Sequence, residues 1–290
     1  MYPLLEEFKR FENEINLRQR TISEYIDAIE KCLDFMLVYK EKSHFTRQSY
    51  RAITTQDMQA YMFKLREDKS VSTCNKYFAG IFQFFKWMQI NKHIESNPCI
   101  GVKMQKAEGK EEEVVMTYEQ SITMIGSVTD NRNKLMLGLM GYMGLRIEEI
   151  CNIEVKNINL QDGTLYFKRK TQKWQTLPVR KFILELLTEQ VKVAKLNNQT
   201  YLFKSPKGDV PMNTNTVRQM FNRVRDSLGY DKRFTPHHMR YAMATFMYQD
   251  KEMPVGEIQL YLGHLDQRTT ERYLKIDNSK TISKFARMDD

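Results

Sequence analysis

Residues 158–179, INLQDGTLYFKRKTQKWQTLPV, interrupt a chain that is otherwise helical in its periodicity. Apolar, β-branched and aromatic residues gather there in three short runs, 158–160, 164–168 and 176–179. Asp162-Gly163 separates the first two, as a tight hairpin requires. The basic tip 170–175 separates the last two. The stretch therefore predicts a small three-stranded antiparallel sheet. Everything around it repeats with the period of a helix, so the fold class is mainly α, with one small sheet in the C-terminal part.

Upstream, residues 3–100 read as helix after helix. Leu4, Leu5, Phe8 and Phe11 fall at helical spacing, followed by Ile22, Tyr25, Ile26, Ile29, Leu33 and Phe35. A third helix is predicted over 55–68, capped by Thr54 or Thr55. A fourth runs over 72–90, with Tyr77, Phe78, Ile81, Phe82, Phe85 and Met88 on one side, a stripe read as core. Asn97-Pro98 ends the helical run. Residues 103–113, KMQKAEGKEEE, have a charge block, a glycine and no large apolar side chain but Met104, which marks a linker. Thr117, with Glu119 and Gln120 behind it, opens the next helix. Further helices are predicted over 131–143 (ended by Gly144), 146–152, 181–194, 215–228, 237–248, 255–262 and 269–274. The chain thus divides into a helical domain at 1–102, a linker at 103–113, and a second domain at 114–290 whose tail is 274–290.

The chain carries a net charge of +9 and has a pI of about 9.2, which favours a polyanionic partner. The excess is uneven: residues 114–290 hold 27 Lys and Arg against 19 Asp and Glu, residues 1–102 hold 15 against 13. Cys32, Cys74, Cys99 and Cys151 form no CxxC pair and no metal-ligand spacing, and read as free thiols of a reducing cytoplasm. The acidic N-terminus is unlike a signal peptide, and no apolar run approaches the roughly 18 residues of a membrane span. The expected location is cytoplasmic, with no membrane partner.

Six residues of the second domain are an odd set for a core: Arg146, Lys170, His237, Arg240, His264 and Tyr273. Each alone has an ordinary structural reading. Arg146 could pair with Glu149, Lys170 could be a solvated tip charge, and His264 could close a helix after Gly263. His237 and Arg240 lie three apart and share a helix face. A metal site of His237, His238 and His264 has no supporting thiol or carboxylate spacing. Taken together, three cations, two imidazoles and a phenol suit one task, holding a phosphodiester while a tyrosine attacks it.

The order and spacing of these residues resemble the tyrosine recombinase (phage integrase) family. Gly144-Leu145-Arg146-Ile147-Glu148-Glu149 looks like its first-arginine box, and Thr235-Pro236-His237-His238-Met239-Arg240 like its His-x-x-Arg box. Leu262-Gly263-His264, nine residues before Tyr273, is similar to its last motif. Leu177-Pro178 sets the register that selects Lys170 over Lys168 or Lys173. One departure is Tyr241, where the family usually has histidine.

The resemblance implies a helical, SAM-like core-binding domain followed by a catalytic domain, together a C-shaped clamp on double-stranded DNA. It implies a site-specific recombinase that cleaves and rejoins strands at short inverted core sites through a 3′-phosphotyrosyl intermediate. Tyr273 would be the nucleophile, Arg146 and Arg240 the phosphate clamp, and Lys170 the proton donor to the 5′ oxygen. His237 would assist proton transfer, His264 would hydrogen-bond the phosphate, and Glu149 would orient its neighbours. No cofactor, divalent metal or small-molecule substrate is implied. Candidate DNA contacts are Asn75, Lys76, Lys173, Thr214, Asn215, Arg218 and Arg223, with Arg225 close behind. The tail, with Ile276, Ile282 and Phe285 on one face, would dock on a neighbouring protomer of a homotetramer. Two rival readings are a DNA-binding protein with an inactive site and a type IB topoisomerase.

Overall fold

The computed structural model of the 290-residue chain describes residues 2–15, 17, 19–104, 114–169 and 173–263. Lys170, His264, Tyr273, most of the expected linker, the helix expected at 269–274 and the tail at 274–290 lie outside the described residues. The chain divides into two compact units, Met1–Glu111 and Glu112–Asp290.

The first unit is wholly helical among its described residues: α1 (Leu5–Glu14), α2 (Gln19–Tyr39), α3 (Arg47–Arg51), α4 (Thr55–Asp68) and α5 (Val71–Ile90). Thr54 caps α4 reciprocally with Asp57, each side chain accepting from the other's backbone N–H. Ser70 caps α5 one residue earlier than its apolar pattern begins, and its hydroxyl accepts from the Thr73 N–H. α3 has no counterpart in the periodicity, because five residues are too few to show one; Thr46 and Ser49 start it by local hydrogen bonds.

The stripe on α5 sits differently from the expectation. Ile81, Phe84, Phe85 and Met88 are fully buried, while Tyr77, Phe78 and Phe82 are only half-buried. α5 packs on both α2 and α4, so its inner face is broad and takes in Phe84 and Trp87. Phe84 meets Phe8 edge-on at 5.2 Å and stacks with Trp87 at 6.2 Å. Burying such side chains, at about 1.5–3 kcal/mol each, holds this unit together.

The second unit contains α6 (Tyr118–Gly126), α7 (Asn131–Gly141), α8 (Ile147–Cys151), a single 3-10 turn, β1 (Ile158–Asn159), β2 (Thr164–Lys168), β3 (Trp174–Pro178), α9 (Lys181–Leu196), α10 (Thr214–Ser227), α11 (Pro236–Gln249) and α12 (Val255–Leu262). α7 is buried continuously from Leu135 to Gly141, and α6, α8, α9, α10 and α11 all pack on it. Its sequence is apolar on every side because every side has a neighbour.

The sheet is antiparallel in the order β1-β2-β3, with Leu165 opposite Leu177 and Lys168 opposite Trp174. β3 begins two residues before the expected 176. The ladder extends because Tyr166 and Trp174 stack across it at 4.7 Å, and the Arg169 N–H donates to the Lys173 carbonyl to close the tip. On β2 the side chains alternate, with Leu165 and Phe167 buried and Tyr166 and Lys168 outside.

Candidate active site

The helix α7 ends at Gly141, three residues earlier than the glycine expected to stop it, and the chain turns at Gly144, where the backbone requires a glycine. Gly144 has φ +64°, and a Cβ there would stand 2.9 Å from Leu262 Cδ2. The turn brings the next residues to the start of α8, where the Arg146 backbone N–H donates to Glu149 Oε2 at 2.9 Å. Arg146 Nη1 donates to Glu149 Oε1 at 3.0 Å. Glu149 is buried and Arg146 mostly so, at 2% and 19% side-chain exposure.

Arg240 is the bulkiest fully buried side chain among the described residues. It points inward from α11, and its guanidinium donates to the carbonyls of Gly144 and Leu262. Gly144 is two residues from Arg146, and Leu262 two residues from His264. One arginine therefore ties the first-arginine box to the end of α12.

Arg169 and Gln175 were not singled out by the sequence reading, and both sit at the centre of this network. Arg169 Nη1 donates to Glu149 Oε2 at 3.0 Å, in an ion pair with 2% exposure on each side. Its Nε donates to Gln175 Oε1 at 2.7 Å and its Nη2 to the Tyr261 carbonyl. Gln175 Nε2 donates to the carbonyls of Leu260 and Tyr261. The signal was available in the strand's parity: Leu165 and Phe167 face inward on β2, and Arg169, one residue past its end, keeps that parity into the core. Reading 170–175 as a tip hid Gln175, which faces inward with Leu177.

Burial lowers the Arg169 guanidinium below its ordinary value; Glu149 opposes this and the Arg146 charge adds to it. Burial likewise raises the Tyr261 phenol. Two guanidiniums, of Arg146 and Arg169, thus share one carboxylate, which leaves a positive excess suited to an anion.

His237 and Arg240 share α11, but the arginine is buried and the histidine exposed. Its neighbour His238 is turned to another use: its Nδ1 accepts from the Thr235 backbone N–H at 2.9 Å, at the start of α11. That bond distinguishes the two adjacent imidazoles. Tyr241 stacks on His237, with ring centroids 6.0 Å apart, so the departure at this position bears directly on a candidate site residue.

Among the other candidates, Asn75, Lys76, Lys173, Asn215, Arg218 and Arg223 are exposed and Thr214 half-buried. Lys76 lies 3.8 Å from Glu24, and Arg218 donates to Asn215 Oδ1 at 2.7 Å. Arg225 is a correction. It is buried, and its guanidinium donates to the carbonyls of Lys232 and Phe234, so it holds the loop ahead of α11 and presents nothing to a groove. No helix among the described residues is long and apolar enough to cross a membrane.

The model of the phage integrase family matches residues 110–280. Tyrosine recombinase XerA of Pyrococcus horikoshii is 28% identical over 81% of this chain and 80% of its own. A lambda integrase (75-356) dimer bound to a COC′ core site has the same fold, with a TM-score of 0.71, 17% identity and 95% of each chain covered. A lambda integrase tetramer bound to a Holliday junction gives a TM-score of 0.68 at 19% identity, over 91% of this chain and 76% of that one. The chain belongs to the phage integrase family and is a site-specific tyrosine recombinase.

Proposed function

We propose that this recombinase cuts and reseals double-stranded DNA at short inverted core sites through a 3′-phosphotyrosyl intermediate. The carrying observation is that Arg240 of α11 bonds the Gly144 carbonyl, two residues before Arg146, while Arg146 itself is held by the buried carboxylate of Glu149 and is still partly exposed. A phosphodiester gains negative charge as it becomes pentacoordinate, and fixed guanidiniums offset that charge best.

In this reading Tyr273 attacks the scissile phosphorus, the bond to the 5′ oxygen breaks, and the tyrosine is left esterified to the 3′ phosphate. Arg146 and Arg240 hold the non-bridging oxygens. Lys170 delivers a proton to the leaving 5′ oxygen, His237 relays the nucleophile's proton, and His264 donates a hydrogen bond to the phosphate. The phosphotyrosine stores the bond energy, so a free 5′-hydroxyl reseals the strand by the reverse steps.

Residues 1–102 act as the core-binding domain, with Asn75 and Lys76 on its DNA face. Lys173 and the exposed start of α10, Thr214, Asn215, Arg218 and Arg223, supply further contacts, and lysine and arginine contacts to phosphates carry most of the affinity. The working assembly is a homotetramer in which each tail, residues 274–290, docks on a neighbour. The lambda integrase tetramer on a Holliday junction supports this assembly by its fold. The four unpaired, buried thiols fit a cytoplasmic protein.

A duplex nicked beside the cleavage point tests the chemistry. The wild-type chain is expected to accumulate a covalent adduct, and Tyr273→Phe none. An adduct that persists in Tyr273→Phe sinks the assignment of the nucleophile. A chain truncated after 274 is expected to bind and cleave yet lose strand exchange; full exchange by that chain removes the docking of tails.

A further inference from the structure

Arg169 is a buried cation that the catalytic scheme does not use. We propose that Arg169 is a positioning residue for the phosphate clamp: by sharing the Glu149 carboxylate it leaves Arg146 both fixed in place and positively charged towards a phosphate. The inference rests on the reading of Arg146 given above.

The geometry is that of one acid between two bases. Glu149 Oε1 accepts from Arg146 Nη1 at 3.0 Å, and Oε2 accepts from Arg169 Nη1 at 3.0 Å and from the Arg146 backbone at 2.9 Å. A carboxylate bonded to Arg146 alone would cancel the charge that a phosphate needs. Two guanidiniums on the one carboxylate leave a surplus unit of charge, and poor solvation makes that surplus strongly felt. Arg146 is the more exposed of the two, at 19% against 2% for Arg169, so the surplus faces outward.

The same guanidinium also frames the second arginine of the clamp. Arg169 and Gln175 hold the Tyr261 carbonyl, while Arg240 holds that of Leu262, the next residue. A positive charge at the C-terminal end of α12 is also favourable to the helix. Gly263, at φ +64°, lies so close that a Cβ there would stand 2.9 Å from Arg169 Nε. The fork is therefore seated where only a glycine leaves room for it. Arg169, one residue past β2, bonds both α8 and α12; in the sequence Lys170 comes directly after it, Arg146 directly before α8, and His264 two residues after α12 ends.

The test separates charge from mere support. Nicked duplexes captured covalently by the wild-type chain from a random-sequence library serve as substrate. Each is then made with an ordinary scissile phosphodiester or with a neutral methylphosphonate, which has less negative charge for the clamp to offset. Arg169→Met is expected to fall about 100-fold behind wild type on the phosphodiester, and to recover most of that deficit on the methylphosphonate. Arg146→Ala should show the same pattern.

Removing the carboxylate as well, in Arg169→Met/Glu149→Gln, should return much of the phosphodiester rate. An equal deficit for Arg169→Met on both substrates, or a double variant no faster than Arg169→Met on the phosphodiester, overturns the proposal. An Arg146→Ala deficit untouched by the methylphosphonate removes the clamp reading itself, and a wild-type chain that captures no duplex removes the cleavage reading beneath both.

Discussion

At the scale of single residues, the candidate site depends on which polar groups are buried and what they hold. Arg240 is 1% exposed and donates to two carbonyls from different elements. Lysine offers one compact ammonium in place of a planar fork, so it cannot serve both carbonyls and a phosphate together. Arg240→Lys is expected to fold, with cleavage reduced by about 100-fold or more. Single-turnover cleavage of a nicked duplex, beside urea unfolding, checks this; near-normal cleavage would show that Arg240 is only a strut. Gly144 and Gly263 matter for the same reason. Both have φ +64°, and both let a neighbouring side chain approach to where a Cβ would intrude.

At the scale of an element, α11 carries two adjacent histidines with different tasks. His238 closes the helix start by accepting from Thr235, while His237 is exposed beside Tyr241. Loss of a helix cap costs about 1 kcal/mol. His238→Ala should therefore lower stability by about that amount and leave cleavage by the folded protein nearly intact. His237→Ala should do the reverse. Urea midpoints and single-turnover rates of the two variants distinguish the assignments, and identical behaviour would contradict them. The hairpin is the other instructive element. Its outer face carries the stacked Tyr166 and Trp174, and its inner face ends in Arg169 and Gln175, so one ribbon ties the core to the basic tip.

At the scale of the molecule, the first unit contains a buried acid with no evident service to DNA. Glu12 is 3% exposed, and its Oε2 has no hydrogen-bond partner among the described residues. Burial pushes its carboxyl above the usual range. A raised carboxyl pKa stabilises the fold below the ordinary value and loses that contribution as pH rises through the folded value. Glu12→Gln should thus be more stable than wild type by about 1 kcal/mol at pH 7, with the gap closing towards pH 4. Urea unfolding at the two pH values tests it; a gap independent of pH would rule out the titration. The thiols follow the same physics, with burial pushing Cys99 up to about 12 and Cys151 up to about 11.

The sequence by itself determined the class of fold, the alternation of helices with one small sheet, and the motifs of the family. Those signals are local: periods of 3.6 and 2, caps, glycines and fixed spacings all act within a few residues of chain. Thr117 and Gly144 announced their roles because capping and a positive φ are decided by immediate neighbours. Tertiary structure alone decided which polar residues turn inward. Arg225 looked like a surface contact and proved to be a loop clamp, because its partners at 232 and 234 are reached only by folding. Arg169 fell unassigned between the second strand and the basic tip and is the buried hub of the candidate site, because the partners that make its burial tolerable come from α8, β3 and α12. A buried charge needs several partners at once, and no stretch of sequence shows their convergence.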